Sequence, residues 1–314
     1  MRRGRLVGRI VVGSISLFLL LLVIGVLEFH YGMIQKTVYS YKVRHYLEQT
    51  YNEPMIIKKV TYLWDNIEPI SARVHPKSSG NVEFSVYPSK DTSSGYRDDY
   101  AETFWLHQVK EDVEQRLLNI DSDLKSQPFI DFTCCAEVKD QVKVIEGTIP
   151  SYTQSNLQFD LIFQLDRGLQ KNDLEQMFHI LTALKPDEQP RFGIIVFLLQ
   201  PEDKPYRIEY KIPGAKLKDI HTIEDLKAYN ESRMPARELA ERIEAEISWD
   251  ASNSRVVFSK GDTVLEMKHW GEEVLLNGVL LPDALPSFLG EQGDLLVPVA
   301  LLEQAFQVEI PLIK

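Results

Sequence analysis

Apolar and small residues run unbroken over positions 11–27, directly behind a leader that carries Arg2, Arg3, Arg5 and Arg9. A helix through this run spans roughly 26 Å, close to the thickness of a hydrocarbon core once Ile10 and Phe29 extend it. The arginine bias of the leader is expected to hold residues 1–9 in the cytoplasm and to send the chain from about Glu28 across the membrane. A cleaved signal peptide is the competing expectation. Against it, Glu28, Phe29, His30 and Tyr31 stand where a small-x-small cleavage site belongs. Beyond the run, Tyr39, Val43, Tyr46 and Leu47 recur at helical spacing until Pro54, which predicts a helix leaving the membrane and docking on a sheet.

Strand patterns follow at 56–64, 70–75 and 82–87, and the polar stretch 91–98 reads as a loop. Asp98 or Asp99 can then cap a helix whose Trp105, Val109, Val113 and Leu117 form one apolar stripe. Together these make a first unit over 30–127. A second unit, 128–219, shows strand patterns at 132–138, 142–149, 157–165, 192–199 and 206–212. Between the third and fourth lies a helix opened by an Asn172/Glu175 capping box. This order of strands, one helix and more strands predicts an α+β layer.

The last stretch, 220–314, repeats internally. Pro235, Leu239, Ile243 and Ile247 are matched by Pro298, Leu302, Phe306 and Ile310, at a constant offset of 63 positions. Each proline is expected in the first turn of a short helix, with a strand after it. The text between the copies predicts hairpins with turns at Gly261-Asp262 and Asn277-Gly278. Trp249, on the strand after the first helix, is expected to pack beneath that helix. The predicted fold is therefore α+β: an N-terminal transmembrane helix over 10–29, two antiparallel-sheet-plus-helix units, and a C-terminal domain of two helix-strand repeats joined by hairpins.

Acidic residues outnumber basic ones 46 to 35, for a net charge of −11. Four of the arginines belong to the leader, so the part beyond the membrane is more acidic still. That disfavours nucleic acid, which demands a basic footprint. The two cysteines, Cys134 and Cys135, are adjacent, and on a strand adjacent side chains point to opposite faces, so both are expected as free thiols. An exported chain without a disulfide framework suggests a bacterial surface.

The C-terminal text resembles the copper amine oxidase N-terminal-like domain, a stalk domain of Gram-positive surface proteins. The residues that carry this are Asn230 to Ala240, Ile247 to Asp250, Val274 to Gly278, and Leu296-Val297-Pro298. Glu244 and Gln307 stand where the family has a glycine after each helix, so these corners are expected to differ from the family's. The resemblance does not imply copper, because the family name comes from a domain attached to certain oxidases. Here only His221 and His269 could contribute imidazole, too few for a defined copper geometry. Residues 35–215 are more distantly similar to the YfjL-like surface proteins of Gram-positive bacteria. That similarity runs through Tyr46-Leu47-Glu48, Val60 to Tyr62, Val74 to Lys77 and Tyr96 to Tyr100, and it implies location and fold but no activity.

The densest chemical cluster is Tyr96, Arg97, Asp98, Asp99 and Tyr100, which could hold an anion or a peptide carboxylate; the plainer expectation is a helix cap. His75 and His107 could serve as bases, but no nucleophile pattern accompanies them. Asp121 and Asp123 start like a calcium loop and lack its glycine and later glutamate. No catalytic, metal or cofactor motif emerges. The function expected is therefore a membrane-anchored, extracytoplasmic, non-catalytic binding or scaffold protein at the bacterial cell surface, whose partner is another surface protein or a cell-wall polymer. The alternatives are a cystatin- or propeptide-like regulator of a surface protease or receptor, and a hydrolase with an unrecognised site.

Overall fold

The computed structural model describes residues 2–125, 128–133, 147–185, 192–201, 206–268, 273–282, 284–285, 287–289 and 294–312, with side chains from Ser14 onward. The expectations for Cys134, Cys135, His269 and most of the strand patterns at 132–138 and 142–149 fall outside those residues. The fold mixes helices and sheets and divides into two compact units. One comprises Met1–Val109 with Glu137–Asn156, the other Lys110–Ala136 with Leu157–Lys314.

In the first unit, α1 (Arg2–Tyr31) contains an 18-residue window, Ser14–Tyr31, long and apolar enough to cross a membrane. Gly32 turns the chain in a left-handed conformation into α2 (Met33–Thr50). The Glu28 carboxylate accepts from the amides of Ile34 and Gln35, both at 2.9 Å, and so satisfies donors that the first turn of α2 would otherwise leave open. Tyr39, Val43 and Leu47 bury one face of α2 as their spacing requires. They lie against an antiparallel sheet of β1 (Met55–Tyr62), β2 (Ile70–Pro76), β3 (Phe84–Pro88) and β4 (Tyr96–Asp98), in that order.

The polar stretch expected as a loop thus ends in a strand. Tyr96, Arg97 and Asp98 pair with Pro88, Tyr87 and Val86. An edge strand so short and polar carries no hydrophobic alternation, and only the free edge of β3 reveals it. Helix α3 (Tyr100–Arg116) follows, with Trp105, Val109, Val113 and Leu117 all buried in line with their stripe. The division between the units falls inside it.

The second unit holds a sheet in the order β5 (Phe129–Phe132), β6 (Phe159–Leu165), β7 (Phe192–Leu199), β8 (Ile208–Pro213). Here the expected all-antiparallel sheet is corrected, because β6 and β7 run parallel. The connection between them passes through α4 (Asp173–Leu184), and a helical crossover returns the chain in the same direction. Met177, Ile180, Leu181 and Leu184 of α4 are fully buried, and Phe163 stacks on Phe197 at 5.0 Å in the sheet. The capping box is also corrected: the Asn172 side chain makes no cap hydrogen bond. Asp173, 1% exposed, instead accepts from the Gln170 amide at 2.6 Å and from Arg167 at 2.7 and 2.9 Å, and Arg167 also holds Asp123 at 2.9 and 3.0 Å.

The C-terminal part of this unit is built on its repeat. β9 (Arg233–Pro235) leads into α5 (Ala236–Arg242), and β16 (Leu295–Pro298) leads into α6 (Val299–Phe306). Each proline caps its helix from the residue before it, rather than occupying the first turn. β9 and β16 pair antiparallel with Met234 opposite Val297, residues 63 positions apart. The repeat's equivalent positions therefore face each other about a local two-fold.

A five-stranded antiparallel meander follows the first copy: β10 (Glu246–Asp250), β11 (Arg255–Lys260), β12 (Thr263–Lys268), β13 (Val274–Leu276) and β14 (Val279–Leu280). Both turns fall where the sequence puts them, with Gly261, Asn277 and Gly278 at positive φ. β15 (Phe288–Leu289) completes the small sheet beside β16. After α6 the second copy forms no strand among the described residues, although Ile310 is buried in the same core as Leu239 and Leu302. Glu244 and Gln307 both adopt left-handed conformations, with φ of 54° and 55°. The corners keep the geometry a glycine would supply, against the expectation that they differ.

Candidate binding site

The five residues singled out in the sequence come together, and the fold uses them. Asp98 receives the Tyr46 hydroxyl at 2.5 Å, the Tyr51 hydroxyl at 2.7 Å and the Tyr100 amide at 3.0 Å. The Tyr100 hydroxyl donates to Glu53, and Tyr39 donates to the Val86 carbonyl at 3.1 Å. Tyr96 packs its ring on Tyr46 at 5.2 Å. Asp99 accepts from the Ser85 amide at 2.6 Å, and Arg97 pairs with Glu68 while its guanidinium lies 4.9 Å from the Tyr87 ring centre.

Burial pushes the phenols of Tyr39, Tyr46, Tyr51 and Tyr100 well above their ordinary value. The charge of Asp98 adds to this at Tyr46 and Tyr51, and the Glu53 hydrogen bond at Tyr100. Burial likewise raises the Asp99 carboxyl. Each carboxylate of the cluster is already met by donors from α2, β3, β4 or α3, so the arrangement closes the unit.

The other polar candidates are placed as follows. His75 lies on β2 with Nδ1 2.9 Å from the Pro76 carbonyl, and His107 lies on α3. Asp123 is bound by Arg167, which makes it half of an ion pair. Among the described residues no three His, Cys, Asp or Glu side chains converge as a metal cluster would.

A different feature stands open. Trp249 is 52% exposed, contrary to its expected burial. β10 is one of the two outer strands of the five-stranded sheet, and Ile247 packs against the core there while Trp249, two residues nearer the turn, emerges beside it. The groove there encloses about 550 Å³ and is lined by Ile247, Trp249 and Val256 on one side and by Pro235, Ala236, Leu289 and Leu295 on the other. Arg237 and Asp294 supply charge of both signs. The adjoining turn is held by Asp250, which accepts from Ser252 and Asn253 and is pulled down to about 2 by those hydrogen bonds, that of Ser252 first. The sequence signal for this groove is slight: one tryptophan between Ser248 and Asp250, on a strand whose place in the sheet is not written in its own residues.

Residues 224–312 match the family model of the copper amine oxidase N-terminal domain, the stretch that carries the resemblance. No curated protein and no solved structure matches the chain. His221 is exposed with its backbone amide on Asp225, and the described residues around it offer no ligand set for copper.

Proposed function

We propose that the protein is a membrane-anchored, extracytoplasmic, non-catalytic binding protein of the bacterial cell surface, and that its C-terminal domain takes an extended segment of another surface protein in the Trp249 groove. The observation that carries this reading is the half-exposed tryptophan itself. An indole left in water at the edge of an apolar groove is a recognised anchor for a partner, where a scattered aliphatic would mean little. The outer position of β10 supports an extended partner, since a sheet edge can accept another strand while neighbouring pockets read its side chains. Further support comes from the matched family, a non-catalytic domain, and from the apolar α1 as anchor.

The test is photo-crosslinking in intact cells from an unnatural residue at position 249, with position 279 as a control because Val279 is more open still, at 67% exposure. A protein adduct from 249 and none from 279 is expected. An adduct to wall glycan would transfer the groove to a polymer, one to an active protease would favour the regulator reading, and no adduct at all would remove the groove from the account.

A further inference from the structure

We infer that the tip of the β1–β2 hairpin is a second membrane contact: Leu63, Trp64 and Ile67 lie in the lipid interface beside the end of α1. This rests on the reading that α1 spans the bilayer. The 18 residues Ser14–Tyr31 rise about 27 Å, which nearly fills a hydrocarbon core and sets Phe29, His30 and Tyr31 at its boundary. Trp64 shares that depth, because its ring lies 5.3 Å from Phe29 and 5.6 Å from His30.

The hairpin cannot swing away easily. Gly32, at φ 57°, sits so close beneath the Tyr62 ring that a Cβ there would fall 2.5 Å from it, so elbow and hairpin are fitted together. The tip exposes Asp65, Asn66 and Glu68, and among them large apolar side chains: Ile67 is 99% exposed, Trp64 50%, and Leu63, Phe29 and Tyr31 are open as well. Large apolar side chains this open are costly in water and ordinary at a lipid surface, where tryptophan and tyrosine concentrate beside polar groups. The occupant fixed by continuity with α1 is the outer leaflet of the bilayer that holds it.

The experiment uses the full chain in vesicles of phosphatidylcholine and phosphatidylglycerol in equal amounts, spin-labelled either near the headgroup or near the chain end. Fluorescence of the wild type minus that of Trp64→Phe isolates Trp64. Flotation with the vesicles shows anchoring independently. The expected result is co-flotation with the Trp64 signal quenched strongly by the shallow label, weakly by the deep one, and protected from aqueous iodide. An Ile67→Asp variant should float equally and lose part of that quenching. Co-flotation with a Trp64 signal open to iodide and blind to both labels would overturn the inference and leave the anchor standing. Failure to float would overturn the anchor, and the hairpin contact with it.

Discussion

The cluster around Asp98 and the groove around Trp249 invert each other. The first is rich in groups that could do chemistry, and apart from the exposed Arg97 they are spent on the fold, the Asp98 and Asp99 carboxylates met by donors from neighbouring elements. The second contains one aromatic that looked like core material, and it is the residue left facing water. Density of polar residues in a sequence measures how many hydrogen bonds a region can make; whether those bonds are spent on the fold is decided by what the fold brings against them.

The contrast breaks most sharply between Trp105 and Trp249. Trp105, 1% exposed with its indole N–H on the Pro150 carbonyl at 2.6 Å, should cost about 3–5 kcal/mol when replaced by alanine, read as a lowered denaturation midpoint. Asp98→Ala comes next, at roughly 2–3 kcal/mol, since the Tyr46 and Tyr51 hydroxyls and the Tyr100 amide lose their acceptor inside the unit. If Asp98→Ala were stable and instead lost a ligand, the cluster would be a site after all.

A pH titration sharpens the same point. The phenols around Asp98 keep their protons in the folded chain beyond the pH at which the unfolded chain releases them. Their contribution is thus whole below the ordinary phenol value of about 10 and is lost as pH rises through the folded values. Phenolate absorbance and loss of structure should appear together in alkali, with Tyr210 of the other unit, raised to about 12 mainly by burial, as internal comparison. Phenolate appearing near 10 with structure intact would contradict the packing described.

Smaller gains are expected at the left-handed corners. Glu244→Gly and Gln307→Gly should each stabilise by about 1 kcal/mol, because glycine adopts that conformation without Cβ strain. Thermal melting checks both. Smallest in stability is Trp249→Ala, at under about 1 kcal/mol, since half the indole is already in water. Its effect should appear in partner capture. A loss of several kcal/mol would return the residue to the core.

Much of the fold was legible because periodic burial writes itself into the chain. The α2 stripe, the α3 stripe from Trp105 to Leu117, the turns at Gly261 and Asn277-Gly278, and the 63-residue repeat are all local or self-referring patterns. The strand at Tyr96–Asp98 and the silent Asn172 cap leave no local signal, because one depends on the edge of β3 and the other on the neighbouring Asp173, which Gln170 and Arg167 hold. The parallel pairing of β6 and β7 was equally invisible, since strand direction follows from where a crossover helix lands.

By itself, then, the sequence determined the apolar N-terminal helix, the elements with clear periods and the identity of the repeat, because these follow from burial and backbone preference within a few turns of chain. Tertiary structure alone decided which strand lies outermost, that the Asp98 carboxylate meets two tyrosines, and that Trp249 emerges from the sheet. Exposure and hydrogen-bond satisfaction are properties of what packs against a residue, and that information is spread over the whole fold.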